Sequence, residues 1–182
     1  MNDWRSLGLG DIRMSVNISG RQFRHRALLA ARADILDQWP HRHGLLELEL
    51  TESVLMENAQ SAIDMLGALN DMGLRLAIDD FGTGYSSLNY LKRFPLNALK
   101  IDQSFIAALT PHGDGGAITS AIIRLGHELG LDIIAEGVET EEQLRFLRDQ
   151  RCDLAQGYLI ARPLPEPQAT SLLQGLKPRA CG

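Results

Sequence analysis

The sequence predicts an α/β fold in which parallel strands alternate with helices. Six strand-like apolar segments recur along the 182 residues, and no linker or low-complexity segment divides them. Such alternation with short connections favours right-handed βα units and a parallel sheet with helices outside it. Two architectures fit this pattern, an open doubly wound sheet and a (βα)₈ barrel. Six units are too few for a whole barrel, which usually needs about 200 residues or more.

The strands are predicted from apolar or alternating runs that end in turn or polar residues. The second strand, for example, alternates leucine with Glu47 and Glu49, and Thr51-Glu52-Ser53 closes it. The six predicted strands are Arg13 to Ile18, Leu45 to Leu50, Leu74 to Asp79, Ala98 to Ile101, Leu131 to Ala135 and Leu154 to Ile160.

The helices are predicted from apolar residues at helical spacing and from their end signals. Gly73 and Pro95 end two of them, Gly130 is the expected C′ residue of a third, and Thr140 is the expected N-cap of a fourth. The predicted helices are Leu28 to Trp39, Ala59 to Met72, Leu88 to Arg93, Ala117 to Leu129, Glu141 to Gln150 and a short helix after Pro163 to Pro167. A polar loop is predicted over 110 to 116 and a frayed tail over 177 to 182.

Composition predicts one globular domain over residues 1–182, with a hydrophobic fraction of 45%. A net charge of −5 argues against binding to nucleic-acid polymers or to anionic membranes. No run of about 20 apolar residues predicts a membrane segment, and no signal peptide is visible at the start. Cys152 and Cys181 form no disulfide framework, so we expect a reducing, cytoplasmic location.

The pair Asp79-Asp80 ends the third predicted strand and precedes a loop with two glycines. Carboxylate oxygens are hard ligands for Mg²⁺ or Mn²⁺, so the pair is a candidate metal site. The same pair could serve only as turn and cap chemistry, because Asp bonds local backbone and Gly permits positive φ.

Polar groups also end the other predicted strands, and in parallel α/β folds chemistry gathers at those ends. A single acid at a strand end is mostly a helix cap or a solvated turn. Six successive units in register, however, predict one oxygen-rich site with a cation beside it, suited to metal-assisted phosphoryl chemistry. The groups are Asn17, Glu49, Asp79 with Asp80, Lys100, Glu136 with Glu139, and Gln156.

Together these motifs resemble the series found in EAL domains, which are bacterial phosphodiesterases that linearise cyclic di-GMP to pGpG. The resemblance covers about residues 10 to 168. The matching segments, in order, are Ser15-Val16-Asn17-Ile18-Ser19, Glu49-Leu50-Thr51-Glu52, Ile78-Asp79-Asp80-Phe81-Gly82-Thr83-Gly84-Tyr85-Ser86-Ser87-Leu88, Leu99-Lys100-Ile101-Asp102, Ala135-Glu136-Gly137-Val138-Glu139 and Ala155-Gln156-Gly157-Tyr158.

The resemblance implies a TIM-like barrel with two Mg²⁺ or Mn²⁺ ions at its mouth. It implies that Asn17, Glu49, Asp79 and Asp80 are metal ligands, with Asp79 shared between the ions. Lys100 would hold the attacking water or a metal-bound oxygen, and Glu136 would be a metal ligand or the general base. Gln156 would complete the site, and Glu52 would position the loop from Asp80 to Leu88, which links the second metal site to a dimer interface.

One part of the family pattern is missing from the sequence. The family is named for a Glu-Ala-Leu segment near its N-terminus, whose Glu is a metal ligand, yet no Glu precedes Glu47 here. We therefore expect an N-terminally truncated, incomplete barrel with about six of the eight βα units. The strands around Val16 and Tyr158 would then have unpaired edges, which predicts self-association.

Several other residues have a structural and a functional interpretation. Asp102 could cap the segment after the fourth strand or contact a metal-bound water, and Glu139 is expected in a supporting role behind the metal ligands. Glu47 is expected to be structural and paired with a basic group, and Cys152 to be inert. The histidines show no metal-ligand spacing. Phe81 and Tyr85 could stack a base, but we expect them in core packing.

Three hypotheses for function remain open. The chain could be a cyclic di-GMP phosphodiesterase domain, impaired by the missing strands. It could be an inactive EAL remnant that binds cyclic di-GMP or a protein partner. It could also be a fragment without activity of its own. In each case we expect a homodimer or other self-association, and a sensory or diguanylate cyclase domain upstream in the full-length protein.

Overall fold

The computed structural model describes residues 12–24, 44–84, 88–109 and 115–175, together with Trp4, Leu7 and Leu9. The predicted helix from Leu28 to Trp39 lies outside the described residues, as do residues 85–87, 110–114 and the predicted tail. The strands are β1 (Met14–Asn17), β2 (Leu46–Thr51), β3 (Arg75–Phe81), β4 (Ala98–Ile101), β5 (Asp132–Ala135) and β6 (Leu154–Ala155). The helices are α1 (Gly20–Arg24), α2 (Glu52–Glu57), α3 (Ala59–Asp71), α4 (Leu88–Leu91), α5 (Gln103–Ala107), α6 (Gly115–Glu128), α7 (Glu141–Asp149) and α8 (Glu166–Gly175).

The six strands form one parallel sheet in the order β1-β2-β3-β4-β5-β6. A doubly wound sheet reverses its strand order at a switch point, whereas here every strand lies beside its predecessor. The topology therefore selects the second architecture that the sequence allowed, an incomplete TIM-like α/β barrel. Within the described residues, β1 and β6 each have only one strand neighbour.

The two faces of the sheet differ in chemistry because side chains alternate along each strand. The outward side chains of β2 to β5 lie in the main hydrophobic core, packed beneath the helices; they include Leu48, Leu50, Leu76, Ile78, Leu99, Ile101 and Ile133. The inner face carries a small apolar cluster of Ala77, Ala98 and Ile134. Ionised groups lie on either side of that cluster, so the inner face is divided into two charged ends.

An ion-pair network neutralises the inner face of the sheet at the amino ends of the strands. Glu47 is only 1% exposed and accepts hydrogen bonds from Arg75 Nε at 3.2 Å and Ser15 Oγ at 3.2 Å. Arg75 also contacts Asp132, at 2.6 Å, and Arg13 lies 3.7 Å from Glu47. The expectation of a structural Glu47 paired with a basic group agrees with this network.

The sequence predicted most helix ends, and their capping groups explain why. Thr140 accepts a hydrogen bond from Gln143 N at 3.2 Å, and Gln143 Oε1 accepts one from Thr140 N at 3.0 Å. This reciprocal capping box begins α7, as predicted. Gly130 has φ +72°, the left-handed conformation expected at the C′ position after α6.

Two local predictions are wrong. Three short helices, α1, α2 and α5, follow strands where no helix was predicted. The sixth strand has two residues instead of seven, because the chain turns at Gly157. A Cβ at that position would lie 2.2 Å from the backbone of Val138, so only glycine permits this approach. Tyr158 therefore follows the strand rather than forming its edge.

Among the described residues, no helix combines the length and the apolar character needed to cross a bilayer.

We predict that Arg75→Leu lowers the free energy of unfolding by about 2 kcal/mol, because it leaves the buried Glu47 carboxylate without its closest cation. Chemical denaturation of the purified chain measures this change. The matched control is Arg24→Leu, which removes an ion pair to Glu57 whose partners are both 60% exposed. That change should cost under about 1 kcal/mol. Equal losses in both variants would contradict the structural role of the Glu47 network.

We also predict that Cys152 is slow to alkylate in the folded chain. Burial raises the pKa of its thiol to about 11. At pH 8 an ordinary cysteine is roughly a quarter ionised. A thiol of pKa about 11 is ionised in about one molecule per thousand at that pH.

The greater nucleophilicity of a basic thiolate offsets part of this difference, so we expect at least about tenfold slower reaction with iodoacetamide than in denaturant. The experiment uses Cys181→Ser, which leaves Cys152 as the single thiol. A folded rate that matches the denatured rate would show that the thiol is accessible and unperturbed.

Candidate active site at the carboxyl ends of the strands

Lys100 lies at the centre of the second charged end of the inner face. Its Nζ contacts Glu49 Oε2 at 2.7 Å, Asp79 Oδ1 at 3.0 Å and Glu136 Oε1 at 2.7 Å. The lysine side chain is 5% exposed, so these contacts are largely shielded from water. An ammonium has three N–H donors, and each of them here faces a different carboxylate.

The parallel register brings these four residues together from four adjacent strands. Glu49 lies in β2, Asp79 in β3, Lys100 in β4, and Glu136 directly follows β5. These residues are far apart in the sequence. They meet in the structure because parallel strands end on the same edge of the sheet. Lys100 pairs in register with Ile134, two residues before Glu136, which places both groups at that edge.

Asp79 and Asp80 share the site because β3 departs from regular geometry at its end. Strand alternation alone would place the two carboxylates on opposite faces. The β3–β4 register shifts between Ile78 and Phe81, and Asp80 has φ +54°, a left-handed conformation that is unusual for a residue other than glycine. As a result, one carboxylate oxygen from each of Asp79, Asp80 and Glu136 lies within 4.8 Å of the others.

Burial and mutual repulsion shift the pKa values of the site. Burial disfavours the charged form of Lys100, but hydrogen bonds to Glu136 and Glu49 and the charge of Glu136 outweigh it and raise the lysine pKa. Burial raises the pKa of Glu136, although Lys100 opposes the shift. Burial raises the pKa of Asp80 too, with the charges of Asp79 and Asp102 adding to the effect. The lysine therefore stays protonated, and its single positive charge is shared by three carboxylates.

Glu52 lies behind the loop that follows β3. Its carboxylate is 1% exposed and accepts a hydrogen bond from Gly82 N at 2.8 Å through Oε2. Its Oε1 has no hydrogen-bond partner among the residues that the structure describes, and a Cβ on Gly84 would lie 2.8 Å from that atom. Glu52 thus holds the start of the Asp80-to-Leu88 loop through the backbone of Gly82, and the absence of a side chain at Gly84 leaves room for its carboxylate.

A cavity of about 280 Å³ opens beside the carboxylates. Asp102, Glu139 and Gln156 line it, together with Asp80 and Glu136. Asp102 Oδ1 accepts a hydrogen bond from Ser104 N at 3.0 Å and thus caps α5, the first of the two roles considered for it.

Asn17 is exposed and pairs in register with Glu49, but it makes no contact with Lys100. Sequence reasoning did not connect Gln103 and Tyr158 with this cavity, which both of them line.

The donor set fits a divalent cation. Asp79, Asp80 and Glu136 offer three carboxylate oxygens, the hard ligands that Mg²⁺ and Mn²⁺ prefer. Four carboxylates, with Glu49 included, face a single ammonium, so the cluster has an excess of negative charge. This part of the described structure could therefore hold a metal ion.

A model of the EAL domain matches residues 1–163 of the chain. The chain belongs to the EAL domain family. The matched residues make up most of the chain, and they include every candidate site residue named above.

Curated relatives of this EAL domain are longer proteins. The bifunctional diguanylate cyclase/cyclic di-GMP phosphodiesterase MucR of Pseudomonas aeruginosa is 45% identical over 168 residues, which are 92% of this chain and 24% of MucR. The signaling protein YkoW of Bacillus subtilis is 44% identical over 165 residues, 91% of this chain and 20% of YkoW. The chain thus spans about a fifth to a quarter of the relatives that it matches.

Solved EAL structures share the fold. The MucR phosphodiesterase in complex with c-di-GMP superposes with a TM-score of 0.88 at 45% identity, over 93% of this chain and 68% of that one. The EAL domain of DcpA from Mycobacterium smegmatis gives a TM-score of 0.87 at 37% identity, over 95% of this chain and 78% of that one. Both comparisons agree with the incomplete barrel seen in the strand order.

We predict that Lys100→Met lowers the free energy of unfolding in metal-free buffer by at least about 2 kcal/mol, because three buried carboxylates lose their shared cation. Adding Glu136→Gln to Lys100→Met should recover part of the loss, since it removes one of the repelling charges. Denaturation in the presence of EDTA measures both effects. Lys92→Met, at an exposed lysine, is the control; a loss in Lys100→Met no greater than in this control would contradict the prediction.

Proposed function

We propose that this EAL domain hydrolyses cyclic di-GMP to linear pGpG with the aid of two divalent metal ions, Mg²⁺ or Mn²⁺. The observation that carries the proposal is the cluster of carboxylates around Lys100 at the carboxyl ends of the strands. The name of MucR, a cyclic di-GMP phosphodiesterase at 45% identity, supports the choice of substrate.

The proposed metal ligands are Asn17, Glu49, Asp79, Asp80 and Glu136. Metal ions held there would supply positive charge to the phosphodiester and lower the pKa of a water. Asp79 lies near the carboxylates of both Asp80 and Glu136 and also contacts Lys100, which suits a ligand shared by two ions. Gln156, Glu139 and Asp102 would shape the cavity beside these ligands, and Glu52 would keep the loop after Asp80 in place.

Glu136 is the proposed general base. Its carboxylate borders the cavity beside the other proposed ligands, where it can accept a proton from a water held among them. Lys100 would hold the attacking water or an oxygen of the phosphodiester. Because its N–H donors all face carboxylates here, the lysine can take this role only when cations replace it as the partner of those carboxylates.

Impaired catalysis, or binding without catalysis, is the second candidate. The observation that favours it is the open sheet, in which β1 and β6 have one strand neighbour each within the described residues. Asn17 lies on that open side and is exposed, so its ligand position has little support. Under this second proposal, the domain binds cyclic di-GMP or a protein partner and hydrolyses cyclic di-GMP slowly or not at all.

The domain would act inside the cell as part of a larger signalling protein. Its relatives are four to five times longer, which supports a sensory or diguanylate cyclase domain upstream. A homodimer or other self-association is proposed from the unpaired edges of β1 and β6. A monomer in sizing chromatography would contradict this part of the proposal.

We predict that the purified chain converts cyclic di-GMP to pGpG only when Mn²⁺ or Mg²⁺ is present, as measured by chromatography of the products. Glu136→Gln should lower the rate by at least about a hundredfold, because it removes the proposed proton acceptor. Asp79→Asn should also abolish most of the activity. Asp132→Asn is the control, since Asp132 contacts Arg75 at the opposite end of the inner face.

Calorimetry of cyclic di-GMP binding, combined with chromatography of the products, separates the two candidate functions. Binding of cyclic di-GMP without turnover would support the binding module, and turnover at the rate of an EAL phosphodiesterase with a complete barrel would contradict impairment. Absence of both binding and turnover would overturn the proposed substrate.

A further inference from the structure

Tyr158 presents an exposed aromatic ring at the edge of the candidate active site. The side chain is 53% exposed, although tyrosine is large and usually buries much of its ring. The Arg162 guanidinium lies 4.3 Å from the ring centroid and covers one face. This contact keeps the ring in one orientation and leaves its remaining surface open.

The backbone around Tyr158 is fixed on both sides. Val138 N donates a hydrogen bond to Gln156 O at 3.0 Å, and Leu159 N donates one to Val138 O at 3.0 Å. Gly157 packs directly against the Val138 backbone between these bonds. The backbone that carries Tyr158 is therefore held by the segment that follows Glu136.

Tyr158 and the carboxylates line the same cavity. Asp80, Glu136 and Tyr158 all border the space of about 280 Å³ described above. The other polar side chains that line this cavity are two acids, Asp102 and Glu139, and two amides, Gln103 and Gln156. Among the described residues, Tyr158 is the aromatic member of that lining. A ligand whose phosphate lies near the carboxylates would thus have a flat apolar surface within reach.

We propose that the Tyr158 ring is a stacking platform for one purine base of the nucleotide, with Arg162 as the positioning residue that supports the ring. Bases stack on aromatic side chains in sequence-tolerant nucleotide sites, and loss of one such contact commonly weakens binding by a factor of ten or more. The inference rests on the proposed function, because it takes the phosphodiester to lie at the carboxylate cluster. It adds a contact that fixes the base, which the carboxylates do not provide.

The test compares two ligands that differ only by the base. GMP and ribose 5-phosphate are titrated by calorimetry into the full chain in buffer with Mg²⁺, with cyclic di-GMP as a third ligand. We expect Tyr158→Leu to bind GMP about tenfold more weakly than the wild-type chain does, with ribose 5-phosphate unchanged. Tyr158→Phe should bind both ligands like the wild type, since it keeps the ring.

Tyr90→Leu is the matched control. Tyr90 is also exposed and lies under an arginine, with Arg93 5.9 Å from its ring centroid, but it does not line the cavity. We expect no change in GMP binding for this variant. Equal weakening of GMP and ribose 5-phosphate by Tyr158→Leu would show that the ring only supports the fold and would overturn the inference.

A second measurement uses the wild-type chain, so it does not depend on the folding of a variant. Fluorotyrosine labelling gives three resonances for the three tyrosines, and Tyr158→Phe identifies one of them. That resonance should shift with GMP and stay in place with ribose 5-phosphate. If cyclic di-GMP binds while the resonance and the Tyr158→Leu affinity do not change, the inference alone fails. If the chain binds neither cyclic di-GMP nor GMP, the proposed function fails with it.

Discussion

The contact of one ammonium with three carboxylates is the constraint on which the site depends. Glu49, Asp79 and Glu136 come from three different strands, and each is largely buried. Such charges are costly to remove from water unless a cation lies among them. Lys100 provides that cation from the strand between β3 and β5. The lysine thus permits the sheet to place several acids at one edge, and it balances only part of their charge.

The inner face of the sheet carries two charged ends with different consequences. At one end Glu47, Arg75 and Asp132 alternate in sign, so the network is close to neutral and serves the fold. At the other end three carboxylates contact one lysine and that of Asp80 lies beside them. Burial and repulsion raise the pKa values of Asp80 and Glu136 there. This imbalance is unfavourable in the isolated site and favourable for a site that receives cations. The division agrees with the separation of stability and chemistry between the two ends of α/β barrels.

Much of the fold could be read from local signals. Thr140, Gly130 and the alternating leucines of β2 act within a few residues, so the elements that they define were predicted correctly. Errors arose where a distant contact decides the conformation. Gly157 ends β6 early because of the backbone of Val138, and Glu52 starts a helix while its carboxylate reaches Gly82, thirty residues away.

The sequence by itself determined the family, the βα alternation and the strand-end residues, because motif spacing and periodicity are properties of the chain alone. It left the doubly wound sheet and the barrel open, since both have the same local pattern, and only the sequential strand order decided between them. The sequence also left Asp79 and Asp80 on opposite faces by simple alternation. The left-handed backbone at Asp80 and the shifted register between β3 and β4 bring both carboxylates near Glu136, and that register is set only when the two strands pair.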